Sequence, residues 1–303
     1  MFKSNSVRVI LLLLLCTCFA CALFPLLWHG LHWIYGGAYS YPSGRTFRRL
    51  WQFSIMIGLI TSYRWIGLQP PNQVGYDWNS NSLRNAIIGV IVVWGFLFSL
   101  TSIFYFAGIW RFHPYFNWDE MMNEMVDGLV RGVLVAGLEE YIFRGLIFPS
   151  FCRRYTWWKA AIISSVIFSS LHFLQGRNLA EYEAVISWYS GFAICGGLLK
   201  ELVMRFNLFP DAAGLFLIGM ILCYAFHRTG TLWYSVGLHG GWVWFVSFRT
   251  KIWLDVHELP LWFGERQIFD GVIPMAAMLV IFPVSWWLLK MQVLYKKSGM
   301  PVS

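Results

Sequence analysis

The stretch Val9-Ile10-Leu11-Leu12-Leu13-Leu14-Leu15 opens a run, residues 9–44, that contains no Asp, Glu, Lys or Arg. A helix needs about 20 apolar residues to cross the hydrocarbon of a bilayer, and this run is longer than that. Lys3 and Arg8 stand before it, as the basic start of a signal peptide would. The apolar text nevertheless continues past any cleavage site, through Phe24-Pro25-Leu26-Leu27-Trp28. A retained first span is therefore expected rather than a removed signal.

Further apolar segments follow. Residues 50–63 are short and weak, and 85–110 are long and strong. A segment at 126–151 is interrupted by charges, and others lie at 160–176, 184–199, 212–227, 229–248 and 271–289. The expected fold is all-α, a polytopic membrane protein with about eight or nine transmembrane helices. No period-two alternation of strand length appears, which argues against a transmembrane barrel.

Composition agrees. Of 303 residues, 58% are hydrophobic and only 13% charged, whereas a soluble domain is about 25% charged. The 18 Trp suit rings at headgroup level. The net charge of +8 comes from 23 basic and 15 acidic residues, and the bases mostly punctuate the apolar runs. Topology and anionic lipid headgroups explain them, and a nucleic-acid partner is not expected. Arg153, Arg154 and Lys159 flank a short loop and suggest its cytoplasmic side, with Asp119, Glu120 and Glu124 one helix earlier on the opposite side. Arg45, Arg48 and Arg49, and the tail with Lys290, Lys296 and Lys297, point the other way, so one segment is re-entrant or interfacial. Cys16, Cys18, Cys21, Cys152, Cys195 and Cys223 all lie in or beside apolar text and read as small apolar residues, not as disulfides or zinc ligands.

The charges inside apolar segments are the candidate site, because an ionisable group at membrane depth is costly unless partnered. The 126–151 segment holds Leu138-Glu139-Glu140-Tyr141-Ile142-Phe143-Arg144. Glu140 and Arg144, at i and i+4, are placed to pair on one helix face. Glu139 lies about 140° from Arg144 around the axis and is the freer carboxylate. A desolvated carboxyl of this kind can serve as a general base. The next segment carries Phe168 and His172 on one face, and residues 229–248 carry Gly237-Leu238-His239-Gly240-Gly241-Trp242, whose glycines permit close helix approach.

Two chemistries fit Glu139, Glu140, His172 and His239 on three helices. In one, Glu139 and His172 polarise a water that attacks a peptide carbonyl while His239 stabilises the oxyanion. In the other, the histidines and a glutamate bind Zn²⁺, which activates the water. The His-Glu-x-x-His signature of helical zinc sites is absent.

At these residues the chain resembles the CAAX-prenyl-protease and bacteriocin-processing family of intramembrane peptidases, called CPBP or Abi. Glu139, Glu140 and Arg144 match its Glu-Glu-x-x-x-Arg motif. Phe168 and His172 match Phe-x-x-x-His, and His239 begins the third motif, His-x-x-x-Asn. The resemblance covers roughly 120–250. It implies a division into N-terminal transmembrane helices (1–119), a peptidase core (120–250) and a C-terminal loop with the last helix (251–303). It further implies a membrane endopeptidase of a bacterial cell membrane, acting on a membrane-associated peptide or protein. Glu139 would be the base, His172 its partner and His239 an oxyanion donor, with Glu140, Arg144 and Phe168 in support. The resemblance implies no cofactor, with zinc on Glu139, His172 and His239 the less favoured route.

One residue departs from the pattern. Val243 occupies the Asn position and cannot donate a hydrogen bond. Loss of one oxyanion donor costs about 10²–10³ in rate. Trp242, Trp244 and Ser235 are the candidate substitutes, Ser235 because it lies at i−4 from His239. The alternative is a non-proteolytic scaffold or bacteriocin-immunity protein of the same fold.

Overall fold

A computed structural model describes residues 2–37, 42–65, 75, 81–172, 186–204, 209–255, 271–281, 283, 284 and 287. The basic tail with Lys290, Lys296 and Lys297 lies outside them, as do the end of the 160–176 segment, the start of 184–199 and much of 271–289 past residue 281. The described residues are mostly helical. They form two compact units, residues 1–70 with 170–208, and residues 71–169 with 209–303.

The first unit contains α1 (Phe2–Ile34), α2 (Ser43–Ser62) and α7 (Ser190–Met204). Phe24 and Phe47 meet edge-to-face at 5.5 Å inside a buried cluster with Cys21, Ile186, Ile194 and Cys195. The six cysteines are free thiols. Trp51 Nε1 donates to Thr17 Oγ1 at 2.9 Å, so the indole nitrogen is satisfied where α2 meets α1.

The second unit is built around α9 (Leu232–Ile252), which packs along both α3 (Ser82–Phe106) and α4 (Trp118–Glu140). Small residues make this packing close. A Cβ on Gly132 of α4 would lie 2.6 Å from the Gly240 carbonyl oxygen, and one on Gly89 of α3 would lie 2.5 Å from the Tyr234 carbonyl oxygen. Without a hydrophobic drive between helices in lipid, such backbone approach supplies van der Waals contact. The far ends of α3 and α9 are tied by a short antiparallel ladder, β1 (Trp110–Phe112) on β2 (Trp253–Asp255). Its three-residue strands carry no alternation for a sequence reading to find.

Helix α4 starts cleanly. Asn117 Oδ1 accepts from the Asp119 and Glu120 amides at 2.9 and 3.4 Å, and both acids sit in the first turn, where the helix dipole favours them. At its other end α4 runs on into a π-helical segment, Tyr141–Ile147, and then α5 (Phe148–Cys152). Pro149 gives a local cause: it has no amide hydrogen, and its ring crowds the carbonyl four residues back, at Gly145. The Phe148 amide instead reaches the Phe143 carbonyl, five residues back. Such π segments are frequent at functional sites.

Helix α6 (Trp157–His172) lies along α8 (Phe209–Thr229), Ser165 against Gly219 and Ser169 Oγ donating to the Ala212 carbonyl at 2.9 Å. The last described helix is α10 (Val272–Met278).

Among the described residues, three helices are long and apolar enough to cross a membrane: Leu11–Ile34, Ser82–Phe106 and Ala212–Thr229. The expected eight or nine spans are thus met by three on length and apolarity alone. Helix α9 is long enough, but its glycines, Ser235, His239, Arg249 and Lys251 dilute its hydropathy. The charged α4 and the Arg-bearing α2 fall short for similar reasons.

Candidate active site

Four helical segments of the second unit bring Glu139, Glu140, Arg144, Phe168 and His239 together. Glu139 and Glu140 end α4, where α9 approaches closely enough for His239 to reach them. Arg144 lies in the π segment, one turn on, and Phe168 comes from α6.

Glu140 and Arg144 are both fully buried and form the expected pair, Arg144 Nη1 to Glu140 Oε1 at 2.9 Å. The guanidinium is held on two more sides. Its Nη2 donates to the Gly219 carbonyl on α8 at 3.2 Å, and its carbon lies 4.6 Å from the Phe168 ring centroid. A planar, delocalised cation over an aromatic face suits a fully buried position. Phe168 stands edge-on to Phe143 at 5.0 Å and to the His239 ring at 5.9 Å, so it packs against the cation, the imidazole and the π segment at once.

The decisive contact joins residues 99 apart in sequence. His239 Nδ1 lies 2.8 Å from Glu140 Oε1. A carboxylate can only accept, so Nδ1–H donates. The other nitrogen, Nε2, then lies 3.8 Å from Glu139 Oε2. His239 is thus flanked by both glutamates. One fixes the ring through a short hydrogen bond, and the other faces its second nitrogen across a gap longer than a hydrogen bond. Glu139 is the more open of the two, with 22% of its side chain accessible against none of Glu140.

His172 is the last residue of α6, one turn after Phe168 and half-buried; it falls in the first compact unit. Val243 is one turn beyond His239 on α9, half-buried, and its carbonyl accepts from Ser247 Oγ at 2.8 Å.

Two of the substitute donors expected from sequence are engaged elsewhere. Ser235 Oγ donates to the Leu222 carbonyl at 3.2 Å, and Trp244 Nε1 to the Met125 carbonyl at 2.8 Å. Both hydroxyl and indole follow the general rule that donors inside a protein find an acceptor, here a backbone carbonyl of a neighbouring helix. Trp242 stacks on Phe96 with ring centroids 5.9 Å apart.

Sequence reasoning paired Glu140 with Arg144 and grouped it with His239 without saying which atoms meet. It missed that the same oxygen holds His239, which no local spacing encodes, and it missed Gly219, whose contribution is a backbone carbonyl. The π segment carried a signal in Pro149. Among the described residues, no three His, Cys, Asp or Glu side chains are grouped to hold a metal ion.

Residues 121–245 match the family model for Rce1-like proteins, type II CAAX prenyl endopeptidases. The matched stretch contains Glu139, Glu140, Arg144, Phe168, His172, His239 and Val243. It agrees with the resemblance read from the three motifs. No curated protein and no solved structure matches the chain. The similarity and the apolar helices together make this a membrane protein, similar over that stretch to a protease family.

Proposed function

We propose that this protein is a multi-pass intramembrane endopeptidase that hydrolyses a peptide bond of a membrane-associated peptide or protein. The observation that carries the reading is the orientation of His239. Its Nδ1 is held by buried Glu140, which is itself neutralised by Arg144, and Nε2 is left toward Glu139.

In the proposed reaction Glu139 removes a proton from a water whose oxygen attacks the peptide carbonyl carbon; the motif resemblance, not the geometry, assigns His172 as its partner. The carbonyl π electrons move to oxygen, and His239 donates from Nε2 to the oxyanion. Collapse of the intermediate breaks the C–N bond, and the proton held by Glu139 passes to the leaving amine. Glu140 supports the ring when both nitrogens carry protons, as a carboxylate does for the histidine of a catalytic triad. No step is routed through a metal, so chelation by EDTA or phenanthroline is expected to leave cleavage unchanged. Abolition by chelator, restored by Zn²⁺, would replace this route with the zinc one.

The family description supplies the first probe, a fluorescence-quenched prenylated CAAX-type peptide, assayed in proteoliposomes beside its unprenylated form. His239→Ala is expected to lower cleavage about 10²–10³-fold, the range for a lost oxyanion donor. Cleavage unchanged in His239→Ala would remove that residue from the mechanism.

Val243 favours a second reading, a non-proteolytic scaffold or immunity protein of this fold, because Ser235 and Trp244 are already committed to backbone carbonyls. Val243→Asn distinguishes the two. On the peptidase reading the variant cleaves faster than a measurable wild-type rate, by about tenfold or more. Cleavage that appears only in the variant supports the scaffold.

A further inference from the structure

Where α5 turns into α6 and α8 ends, the second unit presents a collar of cations and rings. Arg153, Arg154, Lys159 and Arg228 are all exposed there, beside Trp157 and His227. The segments are packed together beneath, by Phe148 of α5, Ala160 and Ala161 of α6, and Cys223 of α8 in one buried cluster. They are joined at the surface by Trp157 stacked on His227, ring centroids 4.8 Å apart and planes within 9°.

These cations have rings for neighbours. Arg154 lies 5.8 Å from the Tyr155 ring centroid and Lys159 5.3 Å from that of Trp158. Among the described residues, none of the four is paired with a carboxylate. The first half of α4 differs, since there Glu124 is paired with Arg131 and Glu120 with Lys251.

The collar also has a defined depth. Arg228 and His227 form the last turn of α8, whose Ala212–Thr229 stretch is long and apolar enough to cross a membrane. The end of such a span sits at the headgroups, where Trp and Tyr rings settle and cations meet lipid phosphate.

We propose that Arg153, Arg154, Lys159 and Arg228, with Trp157 and His227, bind the phosphates of anionic phospholipid headgroups in the leaflet at this end. Four positive charges, none paired with a carboxylate among the described residues, supply the charge complement. The rings anchor the depth, and the stack of Trp157 on His227 keeps the α6 and α8 cations on one surface. The inference is independent of the peptidase reading, since an inactive protein would bind the same lipids.

The test uses the full chain in a neutral detergent, titrated with phosphatidylglycerol, phosphatidylcholine or inorganic phosphate. Retained lipid is read by native mass spectrometry and stability by thermal unfolding. Phosphatidylglycerol is expected to be retained in preference to phosphatidylcholine, with the preference falling as salt rises. The fourfold variant Arg153→Gln/Arg154→Gln/Lys159→Gln/Arg228→Gln is expected to bind it about tenfold more weakly or worse. The exposed pair Arg153→Gln/Arg154→Gln, which leaves the packed base untouched, is expected to lose part of the preference. Arg131→Gln/Lys251→Gln, which removes two cations already paired with carboxylates, should keep it. Equal retention of the two lipids by the wild type would overturn the proposal. So would full preference in both collar variants, which would make the charges a topology signal only, or an effect reproduced by inorganic phosphate alone.

Discussion

The ion pairs at the start and at the end of helix α4 are of opposite character. Near its start, Glu120 meets Lys251 at 2.9 Å with side chains 59% and 36% exposed. At its end, Glu140 meets Arg144 at the same 2.9 Å with neither side chain exposed at all. The distances are equal and the consequences are not. In water the first pair exchanges one good solvent for a partner of similar worth, so little net stability follows. In the buried pair each ion has given up hydration and depends on its partner, so removing one leaves an uncompensated charge. Depth, not geometry, makes the second pair a place where chemistry can be organised.

The largest expected effect on stability follows from that difference. Arg144→Met strands the Glu140 carboxylate and is expected to destabilise the protein by about 3–5 kcal/mol. Glu140→Gln/Arg144→Met, which removes both charges, should lose less than the single variant. Thermal unfolding in one detergent measures both, and a single variant no worse than the double would mean that the buried pair is not interdependent.

A smaller effect is expected from Gly132→Val, which places a branched side chain against the Gly240 carbonyl 2.6 Å from where its Cβ must sit. Overpacking of this kind costs about 1–3 kcal/mol. Since α4 and α9 carry Glu139 and His239, cleavage should fall with stability. A variant that unfolds like the wild type would show that α4 and α9 can part at no cost.

The exposed pair closes the series. Lys251 donates to Glu120, holding that carboxyl below its usual value, and Glu120 in turn holds Lys251 above its own. The carboxylate's contribution is present above the ordinary Glu range and is lost as pH falls through the depressed value. The ammonium's contribution is present below the ordinary Lys range and is lost as pH rises through the raised value. The pair is therefore intact around neutrality. Glu120→Gln should still unfold within about one degree of the wild type at physiological salt. A clear loss that grows at low salt would show that the exposed pair matters more than its setting suggests.

Two features of the candidate site's geometry were legible in the sequence, for identifiable reasons. The i, i+4 rule ties Glu140 to Arg144 because helical neighbours are set by local geometry. The paired glycines of α9 signalled close approach, and Gly240 does meet Gly132. What stayed hidden is non-local or small. The bond from His239 to Glu140 joins two helices 99 residues apart, and nothing within either helix specifies it. The β1–β2 ladder is too short to alternate. Length and apolarity pick out only three spans among the described residues because a helix that buries polar groups against its neighbours, as α9 does with Ser235 and His239, stops looking like a lipid-facing one.

In the proposed mechanism Glu139, at the buried end of α4, is the base, while the acids at its exposed start are not. The direct measurement is the cleavage rate of the quenched peptide by the wild type, Glu139→Gln and Glu124→Gln, in one proteoliposome preparation. A loss of about 10²–10⁴-fold is expected in Glu139→Gln, the range for a positioned general base, and a wild-type rate in Glu124→Gln. Equal cleavage by the wild type and Glu139→Gln would contradict it.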